Sequence, residues 1–182
     1  ILKKHEPKIN FYLAGNIDPN NPASINLDYI KKSHNKGIII YLGWSDNIIK
    51  DIQNSNIIVL PSYREGMPKF LLEAAACGRP VITTNVPGCR DAITSKTGYL
   101  VEVKNSKALA ESIKNLINNN DNQKKMSIDS RKHAIDRFDI SKVIEAHIKI
   151  YNQFRILRLL KTLNITKYLL PQCLKNQKFP YL

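Results

Sequence analysis

The sequence predicts an α/β fold: a parallel sheet with helices on both faces. Two observations carry the prediction. Short apolar runs, such as residues 38–42 (IIIYL) and 57–60 (IIVL), recur through the first part of the chain and alternate with helical segments. A strand that is apolar at every position needs cover on both faces, and alternation of strands with helices supplies that cover in a parallel sheet.

The elements follow in order. Residues 8–14 (KINFYLA) read as a strand that Gly15 and Asn16 end. Ser24 is placed to cap a short helix that runs through His34 and stops near Gly37. Residues 38–42 form a second, buried strand closed by Gly43 and Trp44, and Asp46 is the expected N-cap of a helix over 47–54. Residues 56–60 are the third strand. Pro68 suits the first turn of the next helix, which Gly78 and then Pro80 terminate. Residues 81–84 (VITT) are the fourth strand, 85–90 a Pro-Gly turn, and 99–101 a short fifth strand. From Ser106 the pattern is helical, over about 106–119, 123–136 and from 141 into the 150s.

The chain of 182 residues is long enough for one core, and its 43% hydrophobic content is ordinary. Apolar runs fall short of the roughly 20 residues of a spanning helix. The opening residues lack the apolar core of a secretory signal. The chain starts at Ile1 without an initiator Met, which leads us to expect residues upstream; a processed N-terminus is the alternative. Cys77, Cys89 and Cys173 are odd in number and far apart, so neither a disulfide framework nor a metal spacing is expected, and a reducing cytosol fits. His5, His34, His133 and His147 form no cluster and read as surface or helix residues. The net charge of +13 points to an anionic partner, and the basic excess lies in the tail, where no Asp or Glu follows Glu145.

In parallel sheets ligands bind beyond the carboxyl ends of the strands. The loops there are Gly15 and Asn16, Gly43 and Trp44, residues 62–69, and residues 85–91. Glu65 stands in one of these loops and Glu73 in the helix after it, so two carboxylates flank a helix N-terminus. Such an end offers free N–H groups and a partial positive charge, which suit a phosphate. A carboxylate accepts two hydrogen bonds from vicinal hydroxyls. A sugar–diphosphate–ribose ligand has this layout. Spacing alone favours a simpler reading, a surface helix with acids near its positive end.

The wider stretch, residues 60–82 (LPSYREGMPKFLLEAAACGRPVI), resembles the signature of glycosyltransferase family 4: a glutamate, seven residues, a glutamate, then a Gly-Pro-Val-Ile type turn. Supporting segments occur in order at 12–15 (YLAG), 41–44 (YLGW), 86–91 (VPGCRD) and 97–101 (TGYLV). The resemblance covers about residues 1–150 and is closest to bacterial enzymes that build O-antigen, capsule or lipid-linked glycans. It implies the donor-binding, C-terminal half of a GT-B fold, Rossmann-like, and a retaining transfer from a nucleotide sugar, with UDP the expected nucleotide and a hexose or N-acetylhexosamine the expected sugar. It implies no cofactor and no essential metal. By position, Glu65 is the catalytic-site glutamate that holds the donor-sugar hydroxyls, and Glu73 holds the ribose. The backbone from Gly66 through Met67 and Pro68 to Lys69 would bring its N–H groups to the diphosphate and sugar, with Gly66 allowing close approach. Gly43 and Trp44 would lie beside the base and Gly15 would border the cleft. For Lys69 two roles stay open, facing phosphate or solvated; for Trp44, lining the cleft or closing the core.

The resemblance also implies parts that this sequence does not carry: an N-terminal acceptor domain, and the first strand and basic loop of the donor domain. The expectation is an enzyme by family that is inactive as this chain alone. The alternative is a non-catalytic remnant or partner domain that binds nucleotide or protein. An unrelated sugar-nucleotide epimerase is disfavoured by the paired glutamates.

We divide the chain into a nucleotide-sugar-binding domain over 1–150 and a basic amphipathic tail over 151–182. In the tail Arg155, Arg158 and Lys161 recur at three-residue spacing opposite an apolar stripe. This suits an anionic bilayer carrying a lipid-linked acceptor, and peripheral attachment to the cytoplasmic face of the inner membrane. Packing against the missing domain is the other reading. Nucleic acid is not expected as a partner, for no recognised module is present.

Overall fold

The computed structural model describes residues 2–6, 8–18, 20 and 24–162. Among them are five strands: β1 (Tyr12–Ala14), β2 (Ile40–Gly43), β3 (Ile58–Leu60), β4 (Val81–Thr84) and β5 (Gly98–Val101). The helices are α1 (Leu2–His5), α2 (Leu27–Asn35), α3 (Ile48–Gln53), α4 (Lys69–Ala76), α5 (Pro87–Ala92), α6 (Ser106–Ile117), α7 (Asn120–Phe138) and α8 (Ile140–Thr162). The chain forms two compact units, Ile1–Asp136 and Arg137–Leu182.

In the first unit every strand pairing is parallel, as the alternation predicts. The strands form two sheets, β1–β2 and β3–β4–β5. In the second sheet, alternate residues feed two separate cores. Ile58 and Val81 join Ile52, Leu71, Ala74, Cys89 and Ala92 on the face of α3, α4 and α5. Val59, Ile82 and Val101 join Ile113, Leu116 and Met126 on the face of α6 and α7. Side chains alternate across a strand, so β4 is buried at all four positions because it has cover on both sides. Each large side chain so buried contributes about 1.5–3 kcal/mol.

The first sheet departs from expectation. The run 38–42 is apolar enough for a buried strand, yet β2 is half-exposed and β1 is exposed along its length. α2 packs on β2 and buries Ile30. Two strands with one helix on them leave most of their surface in solvent. β1 is also shorter than expected: the Ile9 N–H turns back to the Glu6 carbonyl at 3.2 Å, which keeps residues before Phe11 out of the ladder.

Several boundaries move for local reasons. α2 begins after Asn26, not Ser24, because the Asn26 side chain accepts from the Asp28 N–H at 2.7 Å. α3 is capped by Asn47 rather than Asp46: its Oδ1 accepts the Lys50 N–H at 3.1 Å. Pro68 is the extended N-cap of α4 rather than a residue of its first turn. The segment 85–90 is not only a turn. Pro87 starts α5, and the burial of Cys89 and Ala92 holds that helix on the core.

The second unit contains α8, whose start is capped by Asp139: its Oδ1 accepts the Ser141 N–H at 2.8 Å. Described side chains from Ile140 to Arg155 are exposed, among them Ile140, Val143, Ile144, Ile148, Ile150, Tyr151 and Phe154. At 100° per residue these apolar positions fall on one side of the helix, with Lys142, Glu145, Lys149 and Gln153 on the other. The basic positions Arg158 and Lys161, and everything from 163 to 182 including Cys173, lie outside the described side chains.

Candidate functional site

The nucleotide-sugar site expected from sequence maps to the loops after β1, β2 and β3 and to the first turns of α4. These segments fall into two groups. In one, the Gly15 N–H donates to the Gly43 carbonyl at 2.7 Å, which ties together the ends of β1 and β2. Both glycines have positive φ, +124° and +67°, which L side chains rarely adopt, so the chain can leave each strand sharply here. Trp44 follows and is 70% exposed. It does not close the core.

The second group surrounds the start of α4. No side chain caps this helix, so the N–H groups at its start are not taken by a neighbouring side chain. Glu65 is half-buried, and its Oε1 accepts the Ser62 hydroxyl at 2.7 Å. Gly66 and Met67 are exposed and Pro68 is buried. Glu73 lies one turn into α4 with its side chain 21% exposed, and Lys69 reaches it at 3.3 Å from a side chain 86% exposed. An exposed i,i+4 pair of this kind contributes about 0.3–0.5 kcal/mol. Lys69 is therefore solvated and lightly held by Glu73. Among the described residues, no hydrogen bond joins the Gly15–Gly43 group to the Glu65–Glu73 group.

Three residues given no site role from sequence shape this loop: Thr83 and Thr84, read only as strand, and Gly88, read only as part of the 85–91 loop. The Thr83 hydroxyl donates to the Leu60 carbonyl at 2.7 Å, and the Thr84 hydroxyl to the Ser62 carbonyl. Gly88 of α5 backs directly onto the Glu65 and Gly66 backbone. For the threonines the available signal was two hydroxyls ending an apolar strand, where a polar side chain needs a buried partner; for Gly88 it was its place in the 86–91 segment beside the other ligand-side loops.

Burial pushes the Cys77 thiol above its ordinary value, an effect partly offset by Arg79, so this cysteine stays protonated. Cys77 and Cys89 are both unpaired thiols. Among the described residues no three His, Cys, Asp or Glu side chains gather where they would hold a metal ion, and no helix is long and apolar enough to cross a membrane.

The family model for glycosyl transferases group 1 matches residues 1–133, nearly the whole first unit. The chain belongs to this family. Among similar proteins, this group 1 chain is 33% identical over 147 residues to the N,N'-diacetylbacillosaminyl-diphospho-undecaprenol alpha-1,3-N-acetylgalactosaminyltransferase of Campylobacter jejuni, covering 80% of the chain and 38% of that protein. It is 34% identical over 128 residues to the capsular polysaccharide biosynthesis glycosyltransferase CapM of Staphylococcus aureus, covering 70% of the chain and 33% of that protein. The chain thus spans between a third and two fifths of these relatives. The fold is that of Anabaena HepE in complex with UDP, with a TM-score of 0.72 at 19% identity over 81% of this chain and 42% of that one. It also matches the C-terminal domain of the group 1 protein LpcC from Francisella tularensis, with a TM-score of 0.65 at 25% identity over 76% and 74% of the two chains.

Proposed function

We propose that this chain is the donor-binding part of a retaining, family 4 type glycosyltransferase, taking a UDP-linked hexose or N-acetylhexosamine for a lipid-linked or cell-surface glycan. One observation carries the reading: Glu65, with one oxygen held by Ser62, precedes the uncapped start of α4, and Glu73 lies one turn into that helix. The diphosphate sits at the helix start, where its charge meets the N–H groups and the positive end of the dipole. Glu65 takes the sugar hydroxyls, the position nearest the reacting carbon, and Glu73 takes the ribose. Gly15, Gly43 and Trp44 form the base side. No metal enters this reading: the departing nucleoside diphosphate meets the backbone N–H groups and the positive end of the α4 dipole. The names of the relatives from Campylobacter and Staphylococcus support the glycan class, and the UDP complex of HepE supports the nucleotide.

Calorimetry with UDP, GDP and UDP-sugars tests the donor reading. UDP should bind, and Glu73→Ala should weaken it about tenfold or more, the loss of a charge-assisted contact to two hydroxyls. Equal affinity of the variant and the parent sinks the assignment of Glu73. The reading further holds that the 182-residue chain binds donor without turnover on its own, because it spans 38% of the Campylobacter relative. Transfer of radiolabelled sugar by the purified chain overturns that part.

Peripheral membrane attachment at a cytoplasmic face belongs to the same reading. The exposed apolar side of α8, with Lys142 and Lys149 opposite it, supports this role. Flotation with anionic vesicles should recover the chain, and Ile144→Asp with Tyr151→Asp should abolish recovery. Unchanged recovery of the double variant removes α8 from the membrane reading.

A further inference from the structure

The Glu65–Gly66 loop is held from behind by groups that do not belong to it. A Cβ added at Gly88 would lie 1.4 Å from the Gly66 carbonyl oxygen, 2.3 Å from its carbon and 2.7 Å from the Glu65 carbonyl oxygen. These are backbone atoms, so no rotamer change relieves the clash. α5 cannot retreat either, since Cys89 and Ala92 beside Gly88 are fully buried in the core. A second hold comes from β4. The Thr84 hydroxyl donates to the Ser62 carbonyl, and the Ser62 hydroxyl donates to Glu65 Oε1. The front of the loop is the reverse: nothing lies within 4 Å of a Cβ added at Gly66.

We propose that Gly88 and Thr84 are positioning residues for the donor sugar, fixing how far Glu65 and Gly66 stand forward of α4. This rests on the donor-binding reading given above. Neither residue touches the ligand. Gly88 sets the depth of the loop by allowing its carbonyls to rest on α5. Thr84 sets its register through Ser62, and so the direction of the Glu65 carboxylate. Binding sites need their groups held to within about 0.5 Å, so a loop pushed forward by a methyl group mis-sets the sugar contacts. The ribose side on Glu73 and the base side on Gly43 are carried by other elements and stay in place.

The readout is the ratio of affinities for UDP-hexose and UDP, measured on the full 182-residue chain. Gly88→Ala and Thr84→Val should each lower the affinity for UDP-hexose about tenfold while leaving UDP within about twofold. Thr84→Ser keeps the donor hydroxyl and should restore the parental ratio. A fall in both affinities together, or an unchanged ratio in a folded variant, overturns the proposal. If Gly88→Ala does not fold, the Thr84→Val and Thr84→Ser pair decides. Amide resonances of Glu65 and Gly66 give a test without nucleotide: they should move in Thr84→Val and return in Thr84→Ser. Unmoved resonances reject the anchoring whether or not UDP binds. A parent chain that binds no UDP rejects the donor reading instead, and leaves the resonance test standing.

Discussion

Gly66 is a glycine for which the folded chain itself supplies no reason. Its φ is not positive, and a Cβ there would meet nothing within 4 Å. A methyl group at this position should be tolerated, and by restricting the unfolded chain it should stabilise the protein by about 0.4–1 kcal/mol. The same methyl points to the side where a diphosphate sugar would approach. Gly66→Ala should therefore melt at the same temperature or higher, yet lose UDP-sugar affinity. A variant that melts normally and binds normally removes close backbone approach from the account. The paired glutamates could be singled out at this scale because they fall within one local stretch around Gly66 and Pro68, although their spacing alone favours a plain surface helix. Ser62 and Gly88 fell within loops expected at the site, but their contacts with Thr84 and Gly66 were not legible. Thr84 and Ser62 lie 22 residues apart, and Gly88 reaches Gly66 across an equal separation. Only folding brings them together, and nothing in either tripeptide announces the pairing.

Among the elements, β4 was read to the residue because Val81–Thr84 is apolar up to its two threonines and is bounded by Pro80 and Asn85. α5 was hidden by the turn signal of Pro87 and Gly88, two residues that mark turns wherever burial does not decide otherwise. Here the burial of Cys89 and Ala92 decides. The caps of α2 and α3 were misplaced by one or two residues, since Ser24 and Asn26, or Asp46 and Asn47, carry equivalent capping chemistry. The cap of α8 yields a prediction about pH. Hydrogen bonds from Ser141 hold the Asp139 carboxyl below its ordinary value of 3.8. A carboxylate with a lowered folded pKa supports its helix fully above the unfolded pKa, and that support is lost as pH falls through the folded value. Helical signal from α8 should decline below about pH 4. Asp139→Asn caps without titrating and should flatten this part of the profile; an unchanged acid limb in the variant assigns the loss to other carboxylates.

For the whole molecule, the class of fold was legible and the distribution of burial was not. Strand–helix alternation gave parallel pairing throughout, but it carried no sign that β1–β2 and β3–β4–β5 would stand as two sheets. The apolar runs at 11–14 and 38–42 look as hydrophobic as the run at 57–60. What separates them is the number of layers that pack on each, a property of the assembled chain. The division also splits the candidate site: Gly15, Gly43 and Trp44 ride on the sheet with little cover, while Glu65 and Glu73 ride on the one with a core on each face.

That split bears on cooperativity. A two-stranded sheet with exposed strands is marginal alone, and regions with few buried contacts open at lower free energy than the global unfolding of the rest. On the proposed reading, the base side rides on the strands with fewer buried contacts and the sugar side on those with more, so the base side should open at the lower free energy. A nucleotide that touches both would stabilise each by mass action, and would add to the tie that Leu2 and Phe11, packed against the core of the second sheet, already make within the first unit.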